Sequence, residues 1–131
     1  MEKLLTPTTL LVSETDEKGI IRYANEEFCA MAEYEVTELE GQPHNIIRHA
    51  DMPKAAFKDL WATLKRGDTW NGFVKNKTKN GNFYWVYAMA FPYTNSKNQK
   101  GYISVRKMAT KQETEKYEKI YREMNRSLEI A

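Results

Sequence analysis

The sequence predicts an α+β fold, with a five-stranded antiparallel sheet, short helices covering one face of it and a C-terminal helix. Three observations lead to this prediction. Two short runs rich in Thr, Leu and Ile open the chain, helical spacing of apolar residues follows, and strand-like alternation resumes after Gly67. The dipeptide Asn80-Gly81 is a strong hairpin signal between two of the later strands. Sequential antiparallel strands with inserted helices are typical of the α+β class.

Composition narrows the class of protein. The 131 residues allow one ordinary domain, and 41% hydrophobic residues are enough for a core. The formal net charge of +2 gives no reason to expect a nucleic-acid partner. No apolar run approaches the roughly 20 residues of a membrane span, and the first residues do not resemble a signal peptide. We therefore expect a cytoplasmic protein without a membrane span of its own.

The opening elements are predicted to be a hairpin and a capped helix. Strands are expected over residues 8–15 and 20–24, joined by a turn that closes at Gly19. Asn25 is a good N-cap for the helix that carries Phe28, because its side chain can accept from the free backbone N–H groups of the first turn. The hairpin and the helix account for the first quarter of the chain.

The middle of the chain is predicted to hold two further helices separated by an irregular segment. The capping-box pattern at 37–40 indicates a helix of one or two turns that stops at Gly41. Residues 41–53 show no periodicity, whereas apolar residues in 54–66 recur at helical spacing. Irregular segments inside compact domains often carry function, so residues 41–53 are a candidate binding segment. Three strands are then expected, over residues 70–76, 82–93 and 100–107.

The last residues are predicted to form an amphipathic helix over 110–131. An isolated helix of about 20 residues is marginal in water, so its apolar stripe needs a partner surface. The sheet of the same chain and the same helix of a second molecule both fit. The stripe consists of Tyr117, Ile120, Tyr121, Met124 and Leu128.

Enzyme templates are absent from the sequence. It contains no Gly-rich phosphate loop and no nucleophile-elbow motif. His44 and His49 lack the i, i+4 spacing of a helical zinc pair, so we predict no metal site. Asp51 fits better as the cap of the helix that begins near Pro53 than as a partner of His49 in acid–base catalysis. We predict a binding protein without catalytic residues.

Side chains that suit a planar ligand are concentrated in two predicted strands. Trp70 and Asn76 alternate onto one face of the first strand, and Tyr84 lies on the second. Aromatic rings and an amide on a covered face can hold a planar heteroaromatic ring. In the irregular segment, Arg48 is a bidentate donor for phosphate, and His49 adds a second donor. These residues indicate a nucleotide-like cofactor, while a filled aromatic core beside a solvated loop stays the alternative.

Several motifs identify a family. The runs Gly41-Gln42-Pro43-His44-Asn45-Ile46-Ile47-Arg48-His49 and Asp51-Met52-Pro53, followed by Val74-Lys75-Asn76 and Lys79-Asn80-Gly81, resemble the PAS domains of aerotaxis receptors and related energy-taxis sensors. The resemblance extends from about residue 9 to about residue 109. It implies a PAS fold, a PAS sensor domain over residues 1–109, noncovalent binding of FAD and a sensory role instead of an enzymatic one.

The resemblance also implies partners and site residues. The expected partner is a chemoreceptor-type transducer, in cis or in trans, or a second copy of the chain. The partner, or a missing segment, would hold the protein at the inner face of the membrane. The helix over 110–131 is expected to extend from the domain for output, dimerisation or linkage, and to dock on that partner. By resemblance, the positions that hold FAD are Arg48, His49, Asp51, Trp70 and Asn76, with Asn25, Trp61 and Tyr84 as further candidates.

Three features distinguish this chain within that family. Ala50 stands where many relatives have proline. Glu33 stands where many have glycine, which adds modest strain if its φ is positive. Cys29 is the only cysteine, so a photoadduct at the cysteine position of light-sensing flavin domains is excluded, and Cys29 itself is predicted to be a buried structural thiol.

Two other functions stay open at this point. One is a haem-binding PAS gas sensor, with His44 or His49 as the axial ligand. The other is a ligand-free PAS module used only for dimerisation. An absorption spectrum separates the three, since it would show flavin bands, a Soret band or no visible band.

Overall fold

The computed structural model describes residues 1–130 and contains one five-stranded antiparallel sheet with the strand order β2-β1-β5-β4-β3. The opening hairpin therefore joins the later three-stranded meander through β1 and β5. This arrangement confirms the predicted α+β class. The strands are β1 (Leu11–Asp16), β2 (Ile21–Ala24), β3 (Trp70–Lys77), β4 (Phe83–Thr94) and β5 (Lys100–Lys107).

The helices between β2 and β3 cover one face of the sheet, which we call the inner face. They are α1 (Glu26–Ala32), α2 (Val36–Leu39), a 3-10 turn (His44–Ile47) and α3 (Lys54–Lys65). The last helix, α4 (Lys111–Ile130), follows β5. The sequence predicts an irregular segment over 41–53. In the structure this segment contains one short 3-10 turn.

Asn25 is the N-cap of α1, as the sequence predicted. Its Oδ1 accepts from the backbone N–H of Phe28 at 3.0 Å and from that of Val12 at 3.1 Å. Its Nδ2 donates to the carbonyl of Leu10 at 2.9 Å. One amide thus satisfies a free helix donor and also ties the start of α1 to β1.

The cap of α2 corrects the predicted box at 37–40. The helix begins two residues earlier, with Glu35 as N-cap, and Glu38 accepts from the Glu35 backbone N–H at 3.0 Å. Gly41 has a φ of +84° and ends the turn. A helix capped at Thr37 would have too few residues before that glycine to form a turn. The box therefore forms at Glu35 and Glu38, which have the same three-residue spacing.

Helix α4 packs on the opposite, outer face of the sheet, against β3 and β4. Tyr117 stacks on Phe73 with ring centroids 4.5 Å apart, and Tyr121 stacks on Trp85 at 6.2 Å. The Tyr121 hydroxyl donates to the Phe73 carbonyl at 2.5 Å. Tyr121 is only 8% exposed, so this ring belongs to the core.

The docking of α4 corrects the expectation that the whole apolar stripe meets a partner. Tyr117, Tyr121 and Met124 pack against the core of the same chain, whereas Ile120 is 36% exposed. The side chain of Leu128 and the whole of Ala131 lie outside the described residues. A role of α4 in output or dimerisation stays a prediction, and among the stripe residues whose side chains the structure describes, Ile120 is still available for it.

Candidate functional site

A cavity of about 240 Å³ lies between the inner face of the sheet and the helices that cover it. The strands contribute small or aromatic side chains, while α3 and the 3-10 turn provide the opposite wall. Its lining residues are Ser13, Thr15, Lys18, Gly19, Pro43, His44, Asn45, Ile47, Arg48, Phe57, Leu60, Trp61, Leu64, Trp70, Val74, Asn76, Ala88, Ala90, Tyr102, Ile103, Ser104 and Arg106.

The charges around the cavity all have one sign. Lys18, Arg48 and Arg106 line it, and none of the lining residues is acidic. A partly enclosed space with cationic walls concentrates the field on whatever enters it. The site therefore favours an anionic ligand.

Trp70 and Trp61 supply aromatic walls. The indole Nε1 of Trp70 donates to Asp59 Oδ2 on α3 at 2.9 Å, which fixes the ring against that helix. Gly72 makes room for the ring, because a Cβ there would lie 2.4 Å from it. Trp61 packs edge-on against Tyr102 at a centroid distance of 5.5 Å. Both tryptophans are thus held by neighbours and line the cavity; their contact with a cofactor stays a prediction.

Asn76 brings an amide to the cavity, and Tyr84 lies next to it without lining it. Both side chains are buried. Burial raises the pKa of Tyr84 to about 12, so its hydroxyl stays protonated. Asn76 Nδ2 is buried and makes no hydrogen bond of good geometry with any described residue. An unpaired buried donor is costly, so this amide is a natural contact for a ligand atom.

Arg48 reaches the cavity from the segment after the 3-10 turn. A single backbone bridge links it to Asn76 on β3, and its guanidinium lies over the Phe57 ring, 3.6 Å from the centroid. Its Nε is buried without a hydrogen-bond partner among the described residues. Burial lowers the pKa of Arg48, although an arginine stays charged at neutral pH. Arg48 is therefore a positioned cation with donors still unused.

His49 and Asp51, predicted from the resemblance to hold the ligand, do not line the cavity. Asp51 Oδ2 pairs with Lys75 Nζ at 2.8 Å on the outer side of β3, and this hydrogen bond lowers the pKa of Asp51. His49 Nδ1 accepts from the Asp51 backbone N–H at 3.0 Å. Burial, followed by the charge of Lys75, lowers the pKa of His49. Both residues shape the segment that carries Arg48.

The predicted role of Asp51 as a helix cap is wrong. The N-cap of α3 is Pro53, and no side chain bonds to its free N–H groups. The buried ammonium of Lys75 attracts the carboxylate more strongly than a solvated helix end would, because a buried charge needs a partner. Asn25 also lies outside the cavity lining, since its amide is used in capping α1.

Sequence reasoning missed a second polar cluster among the residues that line the cavity. Arg106 on β5 donates to Ser13 Oγ at 3.2 Å and to His44 Nε2 at 3.1 Å, and Ser13 Oγ lies 3.0 Å from the same nitrogen. Burial lowers the pKa of Arg106 to about 10 and that of His44 to about 3. Strand alternation could have found Arg106, because it shares the inward face with Ser104.

Both histidines make contacts within the chain. Because arginine only donates, His44 Nε2 must accept from Arg106 in this structure. His49 does not line the cavity. Within residues 1–130 no group of three His, Cys, Asp or Glu side chains could hold a metal ion. Cys29 is also absent from the cavity lining; it is half-buried on α1, where burial raises the pKa of its thiol.

None of the helices in the described part of the chain combines the length and the apolar character needed to cross a bilayer.

Comparison with known sequences assigns the chain to one protein family. The model of the PAS fold matches residues 21–106. The chain is 47% identical to an aerotaxis receptor of Escherichia coli over 92% of its own length and 24% of the receptor. It is 25% identical to a nitrogen fixation regulatory protein of Klebsiella pneumoniae, covering 73% of this chain and 19% of that protein. The chain thus spans a quarter or less of these relatives.

Solved structures with the same fold include light-oxygen-voltage domains. One, studied with a flavin analogue, superposes with a TM-score of 0.69 at 17% identity, covering 84% of this chain and 83% of that one. A PAS domain from Colwellia psychrerythraea superposes with a TM-score of 0.62 at 20% identity, covering 79% and 89%. At these identities the likeness concerns the fold alone.

Proposed function

Because the chain belongs to the PAS fold family, we propose that it is a redox-sensing domain that binds FAD noncovalently and serves aerotaxis-type or energy-taxis signalling. The similarity to an aerotaxis receptor supports this biological role. In this proposal the domain is not an enzyme. Its output goes to a chemoreceptor-type partner in the cytoplasm, in cis or in trans, or to a second copy of the chain.

The observation that carries the proposal is the composition of the cavity. It combines aromatic walls, an unpaired buried amide and three cations with no acidic residue. FAD matches each of these features, because it joins a planar ring with amide-like edges to a negatively charged diphosphate. The haem alternative would use a histidine nitrogen, and His44 Nε2 already accepts from Arg106. A domain used only for dimerisation has no need of unpaired cations around a cavity.

The residues of the chain would divide the work of holding the cofactor. Arg48 is suited to the diphosphate, since it lines the cavity and its Nε is unused. Trp61 and Trp70 exclude water from the ring, and Asn76 can donate to or accept from the ring edge. His49 and Asp51 act indirectly, by fixing the segment that carries Arg48. FAD would supply the electron chemistry.

A route from the cavity to the outer face begins in β3. Asn76 faces the cavity, while the preceding Lys75 faces α4 and pairs with Glu118 at 3.2 Å. Asp51 bridges the two regions, because its carboxylate pairs with Lys75 and its carbonyl accepts from Asn125 Nδ2 at 2.9 Å. A change in the Asn76 hydrogen bond would therefore reach α4 through neighbouring atoms. Such a path makes α4 a suitable output element.

An absorption spectrum of the purified protein tests the cofactor directly. We expect flavin bands, and release of FAD on denaturation, identified by chromatography against FMN and riboflavin. If the protein is isolated without ligand, reconstitution with each flavin and with haemin answers the same question. A Soret band would establish the haem alternative, and a colourless protein that takes up neither compound would establish the ligand-free one.

Hydrogen exchange of α4 tests the proposed output. Amides of α4 should exchange at different rates in the oxidised and the reduced protein, whereas those of the opening hairpin should not. The hairpin serves as the internal control because α4 packs on β3 and β4 instead. Identical exchange of α4 in both states would remove this helix from the signalling route.

A further inference from the structure

His49 accepts a hydrogen bond that only its neutral form can accept. Its Nδ1 accepts from the backbone N–H of Asp51 at 3.0 Å. A protonated imidazole carries a hydrogen on both nitrogens and accepts none. Protonation would therefore place two N–H donors face to face, and the Asp51 N–H would lose its acceptor. The conformation of this segment thus requires a neutral imidazole.

The carboxylate of Asp51 lies within reach of two nitrogen groups. Its Oδ2 is 2.8 Å from Lys75 Nζ and 3.7 Å from His49 Nδ1. While the imidazole is neutral, the ammonium is the charged partner and holds the carboxylate. A protonated His49 would add a second cation at ion-pair distance. The position of the Asp51 carboxylate therefore depends on the charge of His49.

Two polar contacts tie helix α4 to the same cluster. Lys75 Nζ donates to Glu118 Oε1 at 3.2 Å, and Asn125 Nδ2 donates to the Asp51 carbonyl at 2.9 Å. A second cavity, of about 340 Å³, has Asp51, Lys75 and Glu118 among its lining residues. These side chains therefore have space in which to change partners. A shift of Asp51 acts on both contacts of α4.

The surroundings of His49 oppose its protonation at neutral pH. Its pKa lies below the ordinary value near 6.5, first because of burial and then because of the Lys75 charge. The Phe83 ring of β4 packs edge-on against the imidazole, with centroids 6.1 Å apart. The charged groups that act on the imidazole are Lys75 and Lys77 of β3, Asp51 of its own segment and Glu118 of α4. The ammonium that holds Asp51 is thus also the charge that most disfavours the proton.

We infer that His49 is a proton sensor, whose protonation draws Asp51 away from Lys75 and loosens α4 from β3 around Glu118 and Asn125. A conformation with these contacts loosened accepts the proton more readily, so acidification favours it. The inference goes beyond the proposed function, because it adds acidity as a second input to the same helix. It does not depend on a bound cofactor, since none of these five residues lines the first cavity.

An NMR titration of the whole chain between about pH 8 and pH 5, the range in which histidines switch, tests the inference. Imidazole signals follow the histidines, and amide exchange follows α4. We expect protection of α4, corrected for the intrinsic pH dependence of exchange, to fall with the midpoint of His49 by up to about tenfold per pH unit. His44 is the internal control, because its pKa of about 3 keeps its signal constant.

Three variants sharpen the test. His49→Gln does not titrate, so protection of α4 should stay constant over this range. Lys75→Met and Lys77→Met each remove one positive charge from β3, but Lys75 is the residue that pairs with Asp51. The midpoint of His49 should therefore rise more in Lys75→Met than in Lys77→Met, its matched control.

Each contrary outcome is distinct. Protection of α4 that stays constant through the midpoint of His49 in the wild-type protein overturns the inference, even if His49→Gln does not fold. A fall in protection that persists in folded His49→Gln also overturns it. Equal midpoints in Lys75→Met and Lys77→Met would overturn the competition for Asp51. A protein that takes up no flavin would overturn the proposed function and leave this inference standing.

Discussion

The two faces of the sheet differ in how their polar groups are satisfied, and two consecutive residues of β3 show the difference. Lys75 faces outward, and its ammonium contacts Asp51 at 2.8 Å and Glu118 at 3.2 Å. Asn76 faces inward, and its amide nitrogen makes no hydrogen bond of good geometry with a described residue. The outer face is completed by α4 of the same chain. The inner face leaves cations and an amide unpaired around a cavity.

This contrast indicates that the outer face contributes mainly to the stability of the fold and the inner face mainly to ligand binding. Replacements on the outer face remove packing that the chain itself provides, so they should lower the free energy of unfolding. Replacements on the inner face remove groups that the folded chain does not fully use, so they should change ligand binding or pH dependence instead. The following predictions test this division, from the largest expected effect to the smallest.

Removing the Tyr121 ring should have the largest effect. Tyr121→Ala should lower the free energy of unfolding by about 3–5 kcal/mol, because a buried aromatic ring leaves a cavity. Tyr121→Phe should cost about 1 kcal/mol, since it loses only the hydrogen bond to Phe73. Urea denaturation provides both values. Ile120→Ala is the control from the exposed side of α4, and a cost as large as that of Tyr121→Ala would show that α4 does not dock as described.

Acidification should destabilise the inner face through His44. Its pKa in the folded protein is about 3, whereas an unfolded histidine takes its proton near 6.5. Below pH 6.5 the unfolded state binds a proton that the folded state does not, so stability falls as the pH decreases toward 3. The slope from this residue is at most about 1.4 kcal/mol per pH unit. Above pH 6.5 it contributes no pH dependence.

The comparison with His44→Gln isolates this contribution. Glutamine keeps an acceptor for Arg106 but does not titrate, so the variant should lose less stability between pH 7 and pH 4 than the wild-type protein. Urea denaturation at each pH measures the difference, and carboxylates common to both proteins cancel. Equal losses in the two proteins would show that His44 is not held neutral.

Removing Arg48 should weaken FAD binding and leave folding nearly unchanged. Arg48→Ala removes a charge-assisted contact worth about 1.5–3 kcal/mol, which corresponds to a roughly ten- to hundredfold loss of affinity. His49→Ala should cost less, since His49 does not line the cavity. Fluorescence titration of the apoprotein with FAD measures both. Arg66→Ala removes an exposed arginine at the end of α3 and is the control. Unchanged FAD affinity in Arg48→Ala would refute the role.

The smallest effect is expected at Glu33, which belongs to neither face. Its φ of 65° confirms the left-handed conformation considered from the sequence, and its carboxylate accepts from Asn82 Nδ2 at 2.9 Å. Hydrogen bonds from Thr78 and Asn82 lower its pKa. Its contribution should therefore be present above its ordinary pKa and disappear as the pH falls through the lower value of the folded state.

Melting temperatures across pH test this behaviour. Glu33→Gln should melt slightly below the wild-type protein at neutral pH and equally at a pH low enough to protonate Glu33. Glu17→Gln, in an exposed turn, is the control. A difference between Glu33→Gln and the wild-type protein that does not depend on pH would mean that the carboxylate charge is irrelevant.

Local signals predicted most of the fold. The bounds of β5 match the predicted run of 100–107, and α3 ends one residue before its predicted limit of 66. Asn25 caps α1 because the interaction involves atoms within three residues. The shifted cap of α2 is the exception, since two overlapping patterns of equal spacing compete within six residues.

The candidate site was predictable only in part. Trp70 and Asn76 follow from strand alternation, and Arg48 follows from its donors in the irregular segment. The resemblance added Trp61. His49 and Asp51 lie next to Arg48 in sequence but face away from the cavity, because Lys75 draws the Asp51 carboxylate to the outer side of β3. Adjacency in sequence therefore did not indicate the face on which these side chains lie.

The sequence by itself determined the order of the elements, the inward alternation of the strands and the aromatic character of the cavity, because these depend on residues close together in the chain. Only the tertiary structure decided that Arg106 meets Ser13 and His44, 93 and 62 residues away, and that Tyr121 closes the outer face. Such contacts depend on which strands become neighbours. The pairing of β1 with β5 creates the inner cluster, and no local pattern encodes that pairing.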